Sequence, residues 1–251
     1  MTLMQIPGLI DPVPVARTLA PRADGRIDLV GLSKEALRGV LADAGLDAKG
    51  AKLRAKQIWH WIYNRGVGDF AAMTDIAKAQ QPWFATRFVV TRPQVVEAQV
   101  STDGTRKWLL RTHDGHDFEM VFIPDADRGT LCVSSQVGCT LNCTFCHTGT
   151  MKLVRNLDPA EIVGQVMLAR DALGEWPSSQ EGRMLTNIVM MGMGEPLYNF
   201  DNVRDALKIV MDGDGLGLSK RRITLSTSGV VPMMARAGEE IGVNLAVSLH
   251  A

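Results

Sequence analysis

The stretch Cys139-Thr140-Leu141-Asn142-Cys143-Thr144-Phe145-Cys146 packs three thiols into one loop, with Gly138 before it and His147 after it. Buried structural cysteines have no reason to crowd one turn of chain, so the spacing points to a metal centre with thiolate ligands. A closed structural zinc site takes four ligands, usually in two separated groups, and no second Cys-x-x-Cys follows; a zinc knuckle here would need His147 to complete it. An iron–sulfur cube normally takes four thiolates. Three from a single loop leave one iron without a protein ligand and open to a substrate. The open-cornered cube, with Cys139, Cys143 and Cys146 as ligands, is the expectation, and the zinc knuckle is its alternative.

Such a loop has to be presented by a scaffold, and the chain around it alternates strand and helix. A strand over 131–135 runs into the cysteine loop. Asp158 then caps a helix with Pro159 in its first turn and Ile162, Val163, Val166 and Ala169 facing inward. A strand over 186–191 ends in Gly192-Met193-Gly194-Glu195-Pro196, and a helix with Val203, Ala206, Leu207 and Val210 follows. A strand over 222–227 closes with Ser228-Gly229, a short helix begins near Pro232, and a strand over 243–249 ends at His250. This order predicts an α/β fold, a parallel sheet with right-handed crossovers. Four strands cannot close a barrel, so the expectation is a partial (β/α) barrel truncated after its fourth strand, in a fragment of a longer protein.

Chemistry on such sheets gathers at the C-terminal strand ends. The first delivers the cysteines and the second Gly194 and Glu195, a carboxylate suited to an ammonium group. The third ends at Ser226 to Gly229 and the fourth at Ser248, Leu249 and His250, where hydroxyls can bind ribose or a carboxylate. The Gly213-x-Gly215-x-Gly217 run follows a helix and precedes a strand, the reverse of a dinucleotide loop, and reads as a connector.

The N-terminal half is organised differently. Residues 1–30, with Pro7, Pro12, Pro14 and Pro21, read as a flexible leader. Residues 31–91 form a small helical accessory domain. Its first helix is capped by Ser33 and carries Leu37, Val40 and Leu41; a second covers 53–63; a third follows Met73 and Thr74. Its Lys49, Lys52, Arg54 and Lys56, with Trp59, Trp61 and Tyr63 interleaved, form a candidate RNA contact or simply a solvated face over an aromatic core. Lys220, Arg221 and Arg222 gather similarly. Residues 92–125 change period, with Asp103-Gly104 and Asp114-Gly115 between β-branched runs, and predict an antiparallel meander bridging the helical domain to a core over 126–251. Glu119 lies in its last strand.

Composition narrows the class. The 251 residues are 46% hydrophobic and 22% charged, and 27 Lys+Arg balance 27 Asp+Glu, so bulk charge does not hold a nucleic acid to this chain. Four cysteines with three in one loop argue against a disulfide scaffold and for a reducing compartment, with the cytoplasm expected. No signal peptide or membrane-spanning run is legible.

The cysteine spacing, with an aromatic before the last thiol, closely resembles the radical S-adenosylmethionine (SAM) superfamily. The resemblance implies a [4Fe–4S] cluster whose open iron is chelated by the amino and carboxylate groups of SAM, which breaks to a 5′-deoxyadenosyl radical when an electron enters. It also implies that Phe145 lies against the SAM adenine and that Gly194-Glu195-Pro196 meets the SAM amino group. More narrowly, Gln57 to Tyr63, Ser134 to Cys139, Phe145 to Gly149, Gly192 to Leu197 and Arg221 to Gly229 together resemble the RlmN/Cfr family of RNA methyltransferases, from about residue 32 onward. That family methylates C2 of adenine in 23S ribosomal RNA and in tRNA next to the anticodon; the Cfr branch methylates C8. The apparatus answers a chemical problem, because an amidine carbon has no nucleophilic lone pair for a methyl cation, whereas a radical can add to it. By the same resemblance a methyl group borne on a cysteine becomes the attacking methylene radical, Glu119 removes the C2 proton, and Cys132 is the resolving thiol that closes a disulfide as product leaves. The methyl-bearing cysteine lies near the family's C-terminus and has no counterpart here. The family further implies an electron donor such as flavodoxin and a monomer. A non-catalytic, zinc-dependent RNA-binding module is the alternative from another class.

Overall fold

A computed structural model describes residues 22–178 and 181–249. Helices α1 (Lys34–Asp43) and α2 (Ala48–Tyr63) open the packed part. Ser33 Oγ accepts from Ala36 N at 3.1 Å and Asp47 Oδ1 from Gly50 N at 2.9 Å, each satisfying an N–H that a first helical turn leaves unpaired. The second cap starts α2 five residues before the apolar stripe that predicted it. Leu37, Val40 and Leu41 pack toward Ala51, Ile58, Ile62 and Tyr63 in one core. Trp59 and Tyr63 are buried there, so neither is a base-stacking platform.

The third helix expected after Thr74 is short and begins late: a 3-10 turn at Phe70–Ala72 precedes that position and α3 (Gln81–Ala85), with Pro82 in its first turn, follows it. The stretch read as a leader also differs: β1 (Ile27–Asp28) pairs in parallel with β2 (Phe88–Val89), and Leu29 and Val30 are buried. The leader's four prolines lie outside the described residues.

The strands β3 (Gln94–Val100), β4 (Arg106–Arg111) and β5 (Asp117–Asp125) form the expected antiparallel meander. They do not bridge two domains. β6 (Arg128–Cys132) pairs antiparallel with β5 and parallel with β9 (Leu185–Met190), which is followed by β10 (Ile223–Thr227) and β11 (Asn244–Val247). The result is one seven-stranded mixed sheet, in the order β11-β10-β9-β6-β5-β4-β3. Between them run α4 (Pro159–Leu173), α5 (Phe200–Met211) and α6 (Val231–Glu240). Asp158 accepts from Glu161 N at 2.8 Å while the Glu161 carboxylate takes Asp158 N at 3.0 Å, a reciprocal cap that fixes where α4 begins.

Alternation divides the sheet into two faces. Trp108, Leu110, Phe118, Met120, Phe122, Leu131, Ile188, Met190, Ile223 and Leu225 are buried in the same core as Ile162, Val166, Val203 and Leu207 of the helices. The opposite face carries Lys107, Glu119, Cys132, Asn187, Thr224 and Ser226, brought into line by the pairings Lys107 with Val121, Val121 with Cys132, Cys132 with Val189 and Val189 with Thr224. Burial of the first face drives folding, at about 1.5–3 kcal/mol for each large side chain fully removed from water. The second is left for chemistry.

The candidate metal centre and its surroundings

The expected strand over 131–135 stops at Cys132, and β7 (Gln136–Val137) pairs with β8 (Arg155–Asn156) to make a short ladder at the base of the cysteine loop. Val154 N donates to Val137 O at 2.9 Å and Cys139 N to Met151 O at 3.3 Å, closing the loop further. Gly138 turns the chain out of the ladder at φ 76°, and a Cβ there would lie 2.2 Å from Lys152 O, so only glycine fits. Within the loop Cys146 N donates to Cys143 O at 3.1 Å and Gly149 N to Cys146 O at 2.9 Å.

Cys139, Cys143 and Cys146 are all free thiols, half-buried. Burial pushes the Cys139 thiol up, and the neighbouring Cys143, Cys146 and Glu195 charges push it further. Leu141 N donates to Cys139 Sγ at 3.3 Å, which favours the anion. Three thiols and a carboxylate gathered this way suit a cationic centre, where a coordinated thiol is deprotonated outright.

Glu195 follows β9 in the turn expected to hold an amino group. Gly194 adopts φ 95°, and a Cβ on it would lie 2.5 Å from the Gln136 side chain. The Glu195 side chain is buried, with 4% of the residue exposed. Its Oε1 accepts from Leu197 N at 3.1 Å, and its Oε2 from Ser228 N at 2.8 Å and Ser228 Oγ at 3.1 Å. All three donors are neutral, and among the described residues no cation pairs with the carboxylate. A buried carboxylate held so suits an ammonium ligand.

The residue that joins these two parts is Gln136, which the motif reading left without a role. Its Oε1 accepts from Glu195 N at 3.0 Å and Thr140 N at 3.2 Å, while its Nε2 donates to Thr140 Oγ1 and Asn156 Oδ1, each at 2.8 Å. It is wholly buried. Asn199 adds a second tie, donating to Ser135 O and Leu157 O at 2.7 Å each. The sequence signal for both is a buried polar side chain between apolar runs, visible only once burial is known. Ser228, expected to offer its hydroxyl to a ligand, spends it on Glu195.

The remaining candidates fall around this pair. Phe145 stands on the cysteine loop, 61% exposed. Ser226 Oγ and Ser248 Oγ are 3.4 Å apart at the ends of β10 and β11, and Ser248 N donates to Thr227 O at 2.9 Å. Leu249 is exposed beyond them, and His250 lies outside the described residues. Cys132 and Glu119 share the polar face of the sheet through neighbouring register positions. Burial pushes the Cys132 thiol up. The Glu119 carboxylate lies 2.7 Å from Lys107 Nζ, with both side chains nearly half exposed. A further cluster of His113, Asp114 and Glu161 has ligand-like spacing, but the guanidinium of Arg155 already lies 2.7 Å from both carboxylates. That cluster is an ion-pair network.

Residues 133–251 match the family model of the radical SAM superfamily, and residues 27–90 that of the ribosomal RNA large subunit methyltransferase N-terminal domain. The chain is 83% identical over 248 residues to the dual-specificity RNA methyltransferase RlmN of Rhizorhabdus wittichii, covering 99% of this chain and 62% of that protein. It is 75% identical over 265 residues to the same-named protein of Erythrobacter litoralis, covering 100% and 63%. The crystal structure of a radical SAM methyltransferase from Sphaerobacter thermophilus superposes with a TM-score of 0.79 at 43% identity, over 89% of this chain and 64% of that one. The chain thus spans somewhat under two thirds of the length of these relatives. Two domain matches in the order of the motifs, and high identity along nearly all of this chain, make it similar to the RlmN proteins of the radical SAM superfamily over the part it shares with them.

Proposed function

We propose that the protein is a radical SAM methyltransferase acting on C2 of adenine in 23S ribosomal RNA and in tRNA next to the anticodon. The observation that carries this reading is the Gln136 bridge, which fixes a loop of three free thiols against a buried, cation-free Glu195. Cys139, Cys143 and Cys146 would hold a [4Fe–4S] cluster, and Glu195 the amino group of SAM. The cluster supplies the electron for reductive cleavage of SAM. Ser226 and Ser248 offer hydroxyls beside that position, and Phe145 an aromatic face for the adenine.

On the polar face, Glu119 is the base that receives the C2 proton; its half-exposed carboxylate can meet a ring that enters from solvent. Cys132, whose thiol burial keeps protonated, is the resolving cysteine that closes a disulfide with the methyl-bearing cysteine. The ring edge of a stacked adenine is hidden, so the target must be an open loop or be splayed out. The helical domain over 31–91 contributes Lys49, Lys52 and Lys56, all exposed, as phosphate contacts. Arg54 is engaged by Gln57 and Gln80 and is not counted among them.

The core over 126–251 reads as part of a (β/α) barrel. In support, β11 pairs on one side only among the described residues and leaves Leu245 and Val247 exposed, a surface that further strands would cover. No helix among the described residues is long and apolar enough to cross a membrane. A cytoplasmic monomer reduced by a flavodoxin-like donor completes the reading.

The test is nucleoside analysis of RNA treated with the complete, reconstituted enzyme and methyl-labelled SAM. Label in 2-methyladenosine is expected. Label in 8-methyladenosine would move the protein to the C8 branch, and unlabelled RNA alongside intact SAM cleavage would remove the assignment.

A further inference from the structure

Glu119 is held at both ends by different parts of the sheet. Its carbonyl accepts from Ser134 Oγ at 2.5 Å, and that hydroxyl accepts in turn from Met193 N at 2.8 Å, so the backbone of β5 is tied to the turn that carries Glu195. Its carboxylate is held by Lys107, through Oε1.

The register makes this second hold selective. Leu109 lies opposite Glu119, so Lys107 and Arg111, two places to either side on β4, are both diagonal to it and on the same face. Arg111 is occupied. It donates to Asp117, its directly opposed neighbour, from Nε at 2.7 Å and from the guanidinium end at 2.9 Å. Only the lysine is left for Glu119. A guanidinium would fork across both carboxylate oxygens, whereas an ammonium is a compact point donor that engages one. Among the described residues Glu119 Oε2 accepts no hydrogen bond.

We propose that Lys107 is a positioning residue for Glu119: it pins one carboxylate oxygen and leaves the other to take a proton on the face shared with Cys132. This rests on the reading of Glu119 as the base. As a stabilising contact an ion pair this exposed is worth little, so a merely structural lysine would be silent when removed. A lysine that met RNA phosphate would instead show itself in binding.

Four variants of the complete enzyme separate these cases: Lys107→Met, Glu119→Asp, Lys107→Met with Glu119→Asp, and Glu119→Gln. Glu119→Asp keeps a carboxylate but draws it back from Lys107. Lys107→Met is expected to lower kcat for RNA methylation roughly tenfold with KM within about twofold, and to leave SAM cleavage and the salt dependence of RNA binding unchanged. In the Glu119→Asp background it should change kcat no further, because Lys107 acts only through the carboxylate it touches. Three results would overturn the proposal: unchanged kcat in Lys107→Met, independent losses that multiply in the double variant, or a salt slope of RNA binding reduced by about one, which marks a phosphate contact. Full methylation by Glu119→Gln would be a different failure, removing Glu119 as the base.

Discussion

At the scale of single residues, the cysteines stand out in the sequence because three thiols in one short loop have few readings other than ligands of a metal centre. Their geometry yields a sharp separation. Cys139→Ala, Cys143→Ala or Cys146→Ala is expected to reduce iron to a small fraction of wild type after anaerobic reconstitution, while Cys132→Ala keeps it, since Cys132 sits on the sheet and only the other three lie in the loop. Near-normal iron in the Cys143→Ala protein would mean that this thiol is not a ligand. Glu195 was legible by its motif, but its supporters were not. Gln136 and Asn199 act through backbone groups that the fold brings beside them, and Ser228 through the Glu195 carboxylate itself, from up to 64 positions away in sequence. Nothing in their own neighbourhoods announces that role. Lys107 belongs to the same class, because its partner is set by strand register and by the prior engagement of Arg111.

At the scale of elements, the parallel strands, their helices and the meander were readable from period and turn residues. What failed was informative. The strand before the cysteines was expected to carry straight into them, and its apolar residues do continue, yet the regular strand ends at Cys132 and, beyond Val133, the chain makes the β7–β8 ladder instead. That ladder is what shapes the loop, and it depends on Gly138. Gly138→Ala forces a Cβ against Lys152 O in a backbone conformation that L side chains rarely adopt. The expected cost is about 1–3 kcal/mol of local strain, paid by opening the ladder rather than by global unfolding. Iron retention should therefore fall sharply in Gly138→Ala while the thermal midpoint moves by only a few degrees; full iron content would show that the ladder is dispensable. The helix expected after Thr74 is the short α3, which begins only at Gln81, after turns that carry Ile76 into the core; Phe84 is buried from the helix itself.

At the scale of the molecule, the meander is a flank of the same sheet that leads into the cysteine loop, and it is fastened to the base of that loop by ion pairs. Asp114, in the β4–β5 turn, takes two hydrogen bonds from Arg155 of β8, at 2.8 and 2.7 Å, and Arg155 also holds Glu161 in the cap of α4. One guanidinium thus joins a hairpin, the base of the cysteine loop and the first helix of the core. Its hydrogen bonds to Asp114, helped by the Thr112 hydroxyl, hold that carboxyl well below the usual carboxylate range against the opposing effect of burial. A carboxyl whose folded pKa is depressed contributes stability that is fully present above its unfolded value, about 3.9, and is lost as the pH falls below that toward the folded value. The Asp114 side chain is 37% exposed, so solvent screening limits the contribution to roughly 1 kcal/mol. Asp114→Asn is therefore expected to lower the urea midpoint at pH 7, with the gap to wild type shrinking steadily below about pH 4. A gap of constant size across that range would mean that the turn is held by something other than the ionised pair.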